Sequence, residues 1–350
     1  MIKRRKTKQI SVGNVKIGGD AQISVQSMCN TDTRNVTQTL QQIKELTDAG
    51  CEIVRLAVLN SDAANALKNI VKVSTIPIVA DIHFDYRLAI QAINNGVAGL
   101  RLNPGNIGKR ENVEKVVSLA KQQNIPIRIG INAGSLEKRL KDLDISLAEK
   151  MVMSADEHVK ILEDLNFDLI KVSLKSSDVM TTIDAYKLFS QKYDYPLHIG
   201  LTEAGTLKSG LVKSSVGIGS LLSQGIGDTI RVSLTENPIE EVHAGYAILK
   251  SLGLRQRGVN FISCPTCGRT QIRLIDLAKK VEERFKNLDA NITIATMGCA
   301  VNGPGEASHA DFGIAGGINE GYVFKKGEIV ARVQEDELLD TLEKIIKDSL

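Results

Sequence analysis

The chain has 350 residues, 43% hydrophobic and 24% charged, with a formal net charge of +3 at pH 7. That is ordinary soluble globular composition; no apolar run approaches bilayer-spanning length, and no apolar stretch follows the basic start to make a secretory signal. Five cysteines, an odd number with Cys29 and Cys51 isolated, argue against a disulfide framework and for a reducing cytoplasm.

The first segment carries Lys3, Arg4, Arg5, Lys6 and Lys8. It reads as a solvated tail in preference to a nucleic-acid contact. Eight short runs rich in β-branched residues follow, at 23–28, 53–58, 78–82, 99–102, 127–131, 169–174, 197–201 and 229–234. Their composition suits strands buried on both faces. Helical patterns separate them. Val36, Leu40, Ile43 and Leu46 mark one face, with Gly50 where a C-terminal cap belongs. Ser154 and Glu157 read as a capping box ahead of Val159, Leu162 and Leu165, and the stretch 135–150 predicts an extra short helix. Eight strand–helix alternations predict an α/β fold, a closed (β/α)8 TIM-type barrel over residues 1–255; an open doubly wound sheet is the alternative.

Near Val259 the rhythm changes. An amphipathic helix (Ile272, Ile275, Leu277, Val281, Phe285), a strand at 292–296, two further short strands, a turn at Lys326 and Gly327, and a terminal helix predict a smaller α+β domain over 256–350. Residues 260–350 hold 11 Lys and Arg against 14 Asp and Glu, whereas 1–259 holds 33 against 27. The larger part is therefore the one suited to an anion.

The eight apolar runs are unusually polar at their C-terminal ends, where barrel chemistry collects. Arg55, Asp81, His83, Arg101, Asn103, Arg128, Asn132, Lys171, Ser173, Glu203, Arg231 and Ser233 lie within or just after them. Five of these are cations, and an unpaired buried cation is costly. The acids in view are Asp81, Glu203 and Asp32. The excess points to a phosphate or diphosphate ligand. The Gly- and Ser-rich stretch 205–227 offers further backbone amides. His198 reads as packing, Cys29 and Cys51 as small buried hydrophobes, and His158, His243 and His309 have no legible partner.

Cys264 and Cys267 stand in Cys-Pro-Thr-Cys-Gly, and Cys299 stands in Met-Gly-Cys-Ala-Val-Asn-Gly-Pro-Gly-Glu, ending at Glu306. Cysteines with two residues between them can grip one metal centre, and three thiolates are one ligand short of a full set. Glu306 is the nearest candidate for the fourth. A hard carboxylate among soft thiolates is a weakly matched ligand that a substrate oxygen can displace.

Together with Gln26-Ser-Met, Asn30-Thr-Asp-Thr33, Arg101-Leu-Asn-Pro-Gly105 and Arg128-Ile-Gly-Ile-Asn132, these motifs resemble the bacterial 4-hydroxy-3-methylbut-2-enyl diphosphate synthases over essentially the whole chain. The resemblance implies an iron–sulfur reductase of the methylerythritol phosphate route to isoprenoids. Such an enzyme opens 2-C-methyl-D-erythritol 2,4-cyclodiphosphate and removes a hydroxyl, giving (E)-4-hydroxy-3-methylbut-2-enyl diphosphate. Two electrons come from flavodoxin or ferredoxin. It implies a 4Fe-4S cluster on Cys264, Cys267, Cys299 and Glu306. Substrate contacts fall on Arg55, Asp81, Arg101, Asn103, Arg128, Asn132, Lys171, Ser173, Arg231 and Ser233, with Glu203 as the proton donor and His83 as its alternative. It further implies a cytoplasmic homodimer, without nucleic acid or membrane, in which the cluster domain of one chain covers the barrel of the other. Two rival readings remain: a pterin- or corrinoid-linked transferase on the same barrel, and a zinc-ribbon module using Cys264, Cys267, Cys299 and His309.

Overall fold

The computed structural model describes residues 2–286, 288–299, 307, 309–318 and 320–350. They form two compact units, Met1–Arg255 and Gln256–Leu350.

The first unit opens with an antiparallel hairpin, Ile10–Val12 paired with Val15–Ile17. Eight parallel strands follow: β1 (Ser24–Met28), β2 (Ile53–Ala57), β3 (Ile78–Asp81), β4 (Gly99–Arg101), β5 (Ile127–Asn132), β6 (Ile170–Lys175), β7 (His198–Ile199) and β8 (Thr229–Ile230). Hydrogen-bonded neighbours run β6, β5, β4, β3, β2, β1, β8, β7. A parallel bridge between Val172 and Leu197 joins β6 to β7 and closes the cylinder. The barrel reading holds and the open-sheet alternative falls.

A helix follows each strand: α1 (Val36–Asp48), α2 (Ser61–Val73), α3 (Tyr86–Asn94), α4 (Arg110–Gln122), α5 (Leu147–Glu163), α6 (Val179–Lys192), α7 (Leu207–Ser223) and α8 (Pro238–Ser251). Asn35, Asn60, Asp85, Asp178 and Asn237 cap their helices by accepting a backbone N–H, as short polar side chains do at these positions. A short extra helix, Lys138–Lys141, lies between β5 and α5. The apolar faces of the helices bury Leu46, Leu67, Ile93, Val116, Leu162 and Phe189 against the barrel. Each such side chain contributes roughly 1.5–3 kcal/mol.

Two local expectations are corrected. The capping box of α5 is Ser146 with Glu149, two turns earlier than Ser154 and Glu157, because the same Ser-x-x-Glu pattern occurs there first. The basic start is no solvated tail. Arg4 forms an ion pair with buried Asp228 at 2.9 Å, and Arg5 donates to the carbonyls of Tyr193 and Tyr195. These bonds hold the N-terminal segment under the barrel, where Ile10, Val12 and Ile17 pack on Ile53 and Val79.

The second unit is a five-stranded mixed sheet in simple order: β9 (Asn260–Ser263), β10 (Thr293–Met297), β11 (Phe312–Gly316), β12 (Gly321–Lys325) and β13 (Glu328–Val333). Lys326 and Gly327, both with positive φ, make the two-residue turn between the last two strands. Helices α9 (Leu274–Phe285) and α10 (Leu338–Lys347) bury Leu277, Val281, Phe285, Leu342 and Ile346 against the sheet.

Candidate functional site

Strand register explains how the barrel polar residues meet. Asp81 pairs with Arg101, Arg101 with Arg128, and Arg128 with Lys171, so four charged residues occupy one row across β3 to β6. Asp81 is the hub. Its carboxylate lies 3.5 Å from Arg55 Nε, 3.4 Å from Arg101 Nη1 and 3.6 Å from His83 Nε2. Burial alone would raise the Asp81 carboxyl, but Arg55, a hydrogen bond from His83, Arg101 and Arg128 together hold it well below the usual carboxylate range. Burial pushes Arg55 down to about 10, against the attraction of Asp81.

Arg101 also donates to the Gly130 carbonyl at 3.0 Å. Asn103 clasps the same residue twice, donating to its carbonyl at 3.1 Å and accepting its N–H at 2.8 Å. Glycine is required at 130, because a Cβ there would stand 2.7 Å from Arg101 Nε. Arg128 donates to Ser173 Oγ, while its Nε and Nη2 have no partner among the described residues. Burial, then the neighbouring Arg55 and Arg101, pull its proton affinity well below the ordinary value.

Lys171 sits deeper than its place in the chain suggests. It borders a cavity with Gln26, Arg128 and Val12 of the hairpin. Among the described residues, Lys171 Nζ and Gln26 Oε1 both lack a hydrogen-bond partner. Burial and Arg128 push the lysine down to about 7. Lys175, absent from the sequence reading, ends β6 level with Asn132. It is 8% exposed, and burial, then Arg231, Arg128 and Arg55, lower it well below the ordinary lysine value. The alternation Lys171, Ser173, Lys175 along one strand was the signal available in the sequence.

Arg231 has a partner that the sequence reading missed. Buried Glu241 of α8 accepts from its Nε at 3.1 Å and Nη2 at 2.9 Å, from Ser27 Oγ at 2.9 Å and from the Leu234 N–H at 3.0 Å. Asp32, in contrast, pairs with exposed Arg34. Glu203 is exposed, forms no ion pair among the described residues, and holds a left-handed φ of 53°. Such strain costs on the order of 1–3 kcal/mol and collects at functional sites. Asn132 and Ser233 are half-buried. The stretch 205–227 is mostly helix α7 and offers only its first turn. The result is six basic side chains (Arg55, Arg101, Arg128, Lys171, Lys175 and Arg231) set against the two carboxylates of Asp81 and Glu241, and those that burial drives towards neutrality gain charge beside an anion. A surplus of this kind is chemically suited to a polyanion.

In the second unit Cys264 follows β9, and Gly298 and Cys299 follow β10, its parallel neighbour. The Gly298 N–H donates to Cys264 Sγ at 3.2 Å. All five cysteines are free thiols. N–H donation to sulfur is a recurring feature of thiolates that ligate metal. Among the described residues no three His, Cys, Asp or Glu side chains gather around one point. Glu306 lies outside the described residues. Cys29 and Cys51 are buried in the barrel core, and burial pushes both thiols up to about 12.

Fold and site define an α/β-barrel protein with a cationic interior, followed by a thiol-bearing α+β unit. Profiles of the GcpE TIM-barrel domain and the GcpE protein C-terminal domain match residues 7–246 and 260–348. Proteins named 4-hydroxy-3-methylbut-2-en-1-yl diphosphate synthase (flavodoxin) are similar over full length. The one from Clostridium perfringens is 58% identical across 98% of this chain and 99% of its own, and the one from Geobacter sulfurreducens is 58% identical across 99% of each. The chain belongs to this family, whose members are oxidoreductases of isoprenoid precursor biosynthesis. Among solved structures, a dihydropteroate synthase from Stenotrophomonas maltophilia matches with a TM-score of 0.51 at 14% identity, covering 71% of this chain and 97% of its own. That likeness shows the barrel fold alone.

Proposed function

We propose that this chain reductively opens 2-C-methyl-D-erythritol 2,4-cyclodiphosphate and removes one hydroxyl as water, leaving (E)-4-hydroxy-3-methylbut-2-enyl diphosphate. The observation that carries the reading is the excess of basic over acidic side chains inside the barrel, with Arg128 and Lys171 nitrogens lacking partners among the described residues, on a chain 58% identical to the named synthases. In this reading Arg101, Arg128, Lys175 and Arg231 hold the diphosphate and offset the negative charge that grows as the ring C–O bond breaks. Asn132, Ser173 and Ser233 orient the ring oxygens. Asn103 shapes the same wall through Gly130. Arg55 and Asp81 keep the guanidinium row in register, and His83 rests on it. Lys171 adds positive charge from the floor side. Glu203 delivers the proton that lets the hydroxyl leave, its strained backbone presenting the carboxyl at the mouth.

The donor set of the second unit fits an iron–sulfur centre: three free thiols at the ends of adjoining strands, one already accepting a backbone N–H. Cys264, Cys267, Cys299 and Glu306 would hold a 4Fe-4S cluster, which supplies electrons that no side chain can. The donor carrier is flavodoxin, as in the names of the relatives. The active form is a cytoplasmic homodimer. Among the described residues no helix is long and apolar enough to cross a membrane.

The test is turnover of the cyclodiphosphate by anaerobically purified protein with reduced flavodoxin, set beside reduced ferredoxin, with iron and sulfide assayed on the same sample. Glu306→Ala should lose both cluster content and turnover. A wild-type protein that takes up neither iron nor sulfide, or leaves the cyclic compound unchanged, refutes the assignment.

A further inference from the structure

His158 lies outside the cationic row, yet it joins two of the loops that shape it. It sits on α5 and is 4% exposed. Its Nδ1 accepts the Gly105 N–H at 3.2 Å. An acceptor Nδ1 places the ring proton on Nε2. That nitrogen lies 3.4 Å from Glu137 Oε1, a close polar contact without a formed hydrogen bond among the described residues, and the same oxygen accepts the Ser154 hydroxyl at 3.1 Å. Gly105 follows Asn103 by two residues in the loop after β4. Glu137 follows Asn132 by five in the loop after β5. The imidazole packs so closely that a Cβ at 105 would stand 2.8 Å from its Cε1. The glycine of the Arg101-Leu-Asn-Pro-Gly motif therefore has a partner here that the synthase reading leaves unused.

We propose that His158 is a positioning residue that latches the Asn103 loop to the Asn132 loop, and that only its neutral form holds the latch. The inference rests on the reading that the barrel binds the cyclodiphosphate. Protonation would turn Nδ1 from acceptor to donor, opposing the Gly105 N–H. The groups that face the ring are Glu137 from the loop after β5, Arg139 from the short helix, Glu157 and Ser154 from α5 itself, and the Gly105 amide from the loop after β4. Arg139 is already paired with Glu157. Burial favours the neutral ring, against the pull of Glu137 and Glu157, and lowers its proton affinity below the ordinary imidazole value. At neutral pH the latch is closed; in acid it opens.

The experiment is calorimetric titration of the cyclodiphosphate into the oxidised protein between about pH 5 and pH 8, a readout that needs no electron transfer. Wild-type affinity should be level near neutrality and fall about tenfold on the acid side. His158→Phe should bind about tenfold more weakly at neutral pH and lose that acid fall. His158→Gln, whose amide can both accept from Gly105 and donate to Glu137, should rescue affinity to within about threefold while flattening the pH profile. Thermal unfolding of each variant separates a lost latch from a lost fold. Gly105→Ala, which pushes the ring away, should weaken binding as His158→Phe does, and the two changes should be non-additive. Wild-type protein that binds, with His158→Phe and Gly105→Ala binding equally tightly on the same pH profile, overturns the latch alone. Wild-type protein that fails to bind the cyclodiphosphate overturns the synthase reading and the latch with it.

Discussion

Replacing Asp81 by Asn removes the one carboxylate of the charged row while keeping its size. Two guanidinium groups then lose a counter-charge at 3.4 and 3.5 Å. Breaking a buried ion pair from one side costs about 3–5 kcal/mol. Arg55 keeps 17% of its side chain in solvent, so the low end, about 3 kcal/mol, applies. For a unit of this size that lowers Tm by roughly 6–12 °C. The same change should raise affinity for inorganic pyrophosphate roughly tenfold, about 1.4 kcal/mol, the repulsion removed between two unit charges about 12 Å apart at an effective dielectric of about 20. Differential scanning calorimetry reads the first effect, and titration with pyrophosphate reads the second. The signature is opposite motion: a less stable protein that grips the anion harder. Unchanged melting together with unchanged or weaker pyrophosphate binding would show that the cations are not a reservoir of unbalanced charge.

Glu241→Gln leaves Arg231 with a neutral partner that also accepts fewer of the four hydrogen bonds, so urea unfolding should show a loss of about 3 kcal/mol; a loss under about 1 kcal/mol means the pair is not structural. Lys171 has its pKa lowered from 10.5 to about 7, so its burial cost is full below pH 7 and vanishes above pH 10.5. Lys171→Met should therefore melt higher than wild type at pH 7, with a gap that closes as pH rises towards 10; a gap independent of pH contradicts the buried amine.

The barrel was legible because its strands are short β-branched runs and its helices carry clear apolar faces, two periods that do not mimic one another. Arg55, Asp81, Arg101 and Arg128 were legible for a related reason: charge stands out inside an apolar strand. Glu241 was not. It sits in the first turn of α8, where an acid is commonplace, and only the packing of that helix on β1 and β8 buries it. Depth inside the barrel was equally hidden. Lys171 and Lys175 lie on one strand, but the pairing row tilts across the cylinder, carrying Lys171 to the floor cavity and Lys175 level with Asn132. Arg4 and Arg5 looked like solvated charge because their acceptors, Asp228 and the carbonyls of 193 and 195, are nearly 200 residues or more away in sequence.

The hairpin beneath the barrel has an electrostatic meaning. With Val12 against Val79 and the segment before it fastened by two arginines, the cylinder is stoppered at one end. The barrel interior above it is packed with side chains, so the stopper acts on water: Val12 shuts solvent away from the Lys171 amine, and a segment from the start of the chain thereby sets the proton affinity of a residue in the sixth strand.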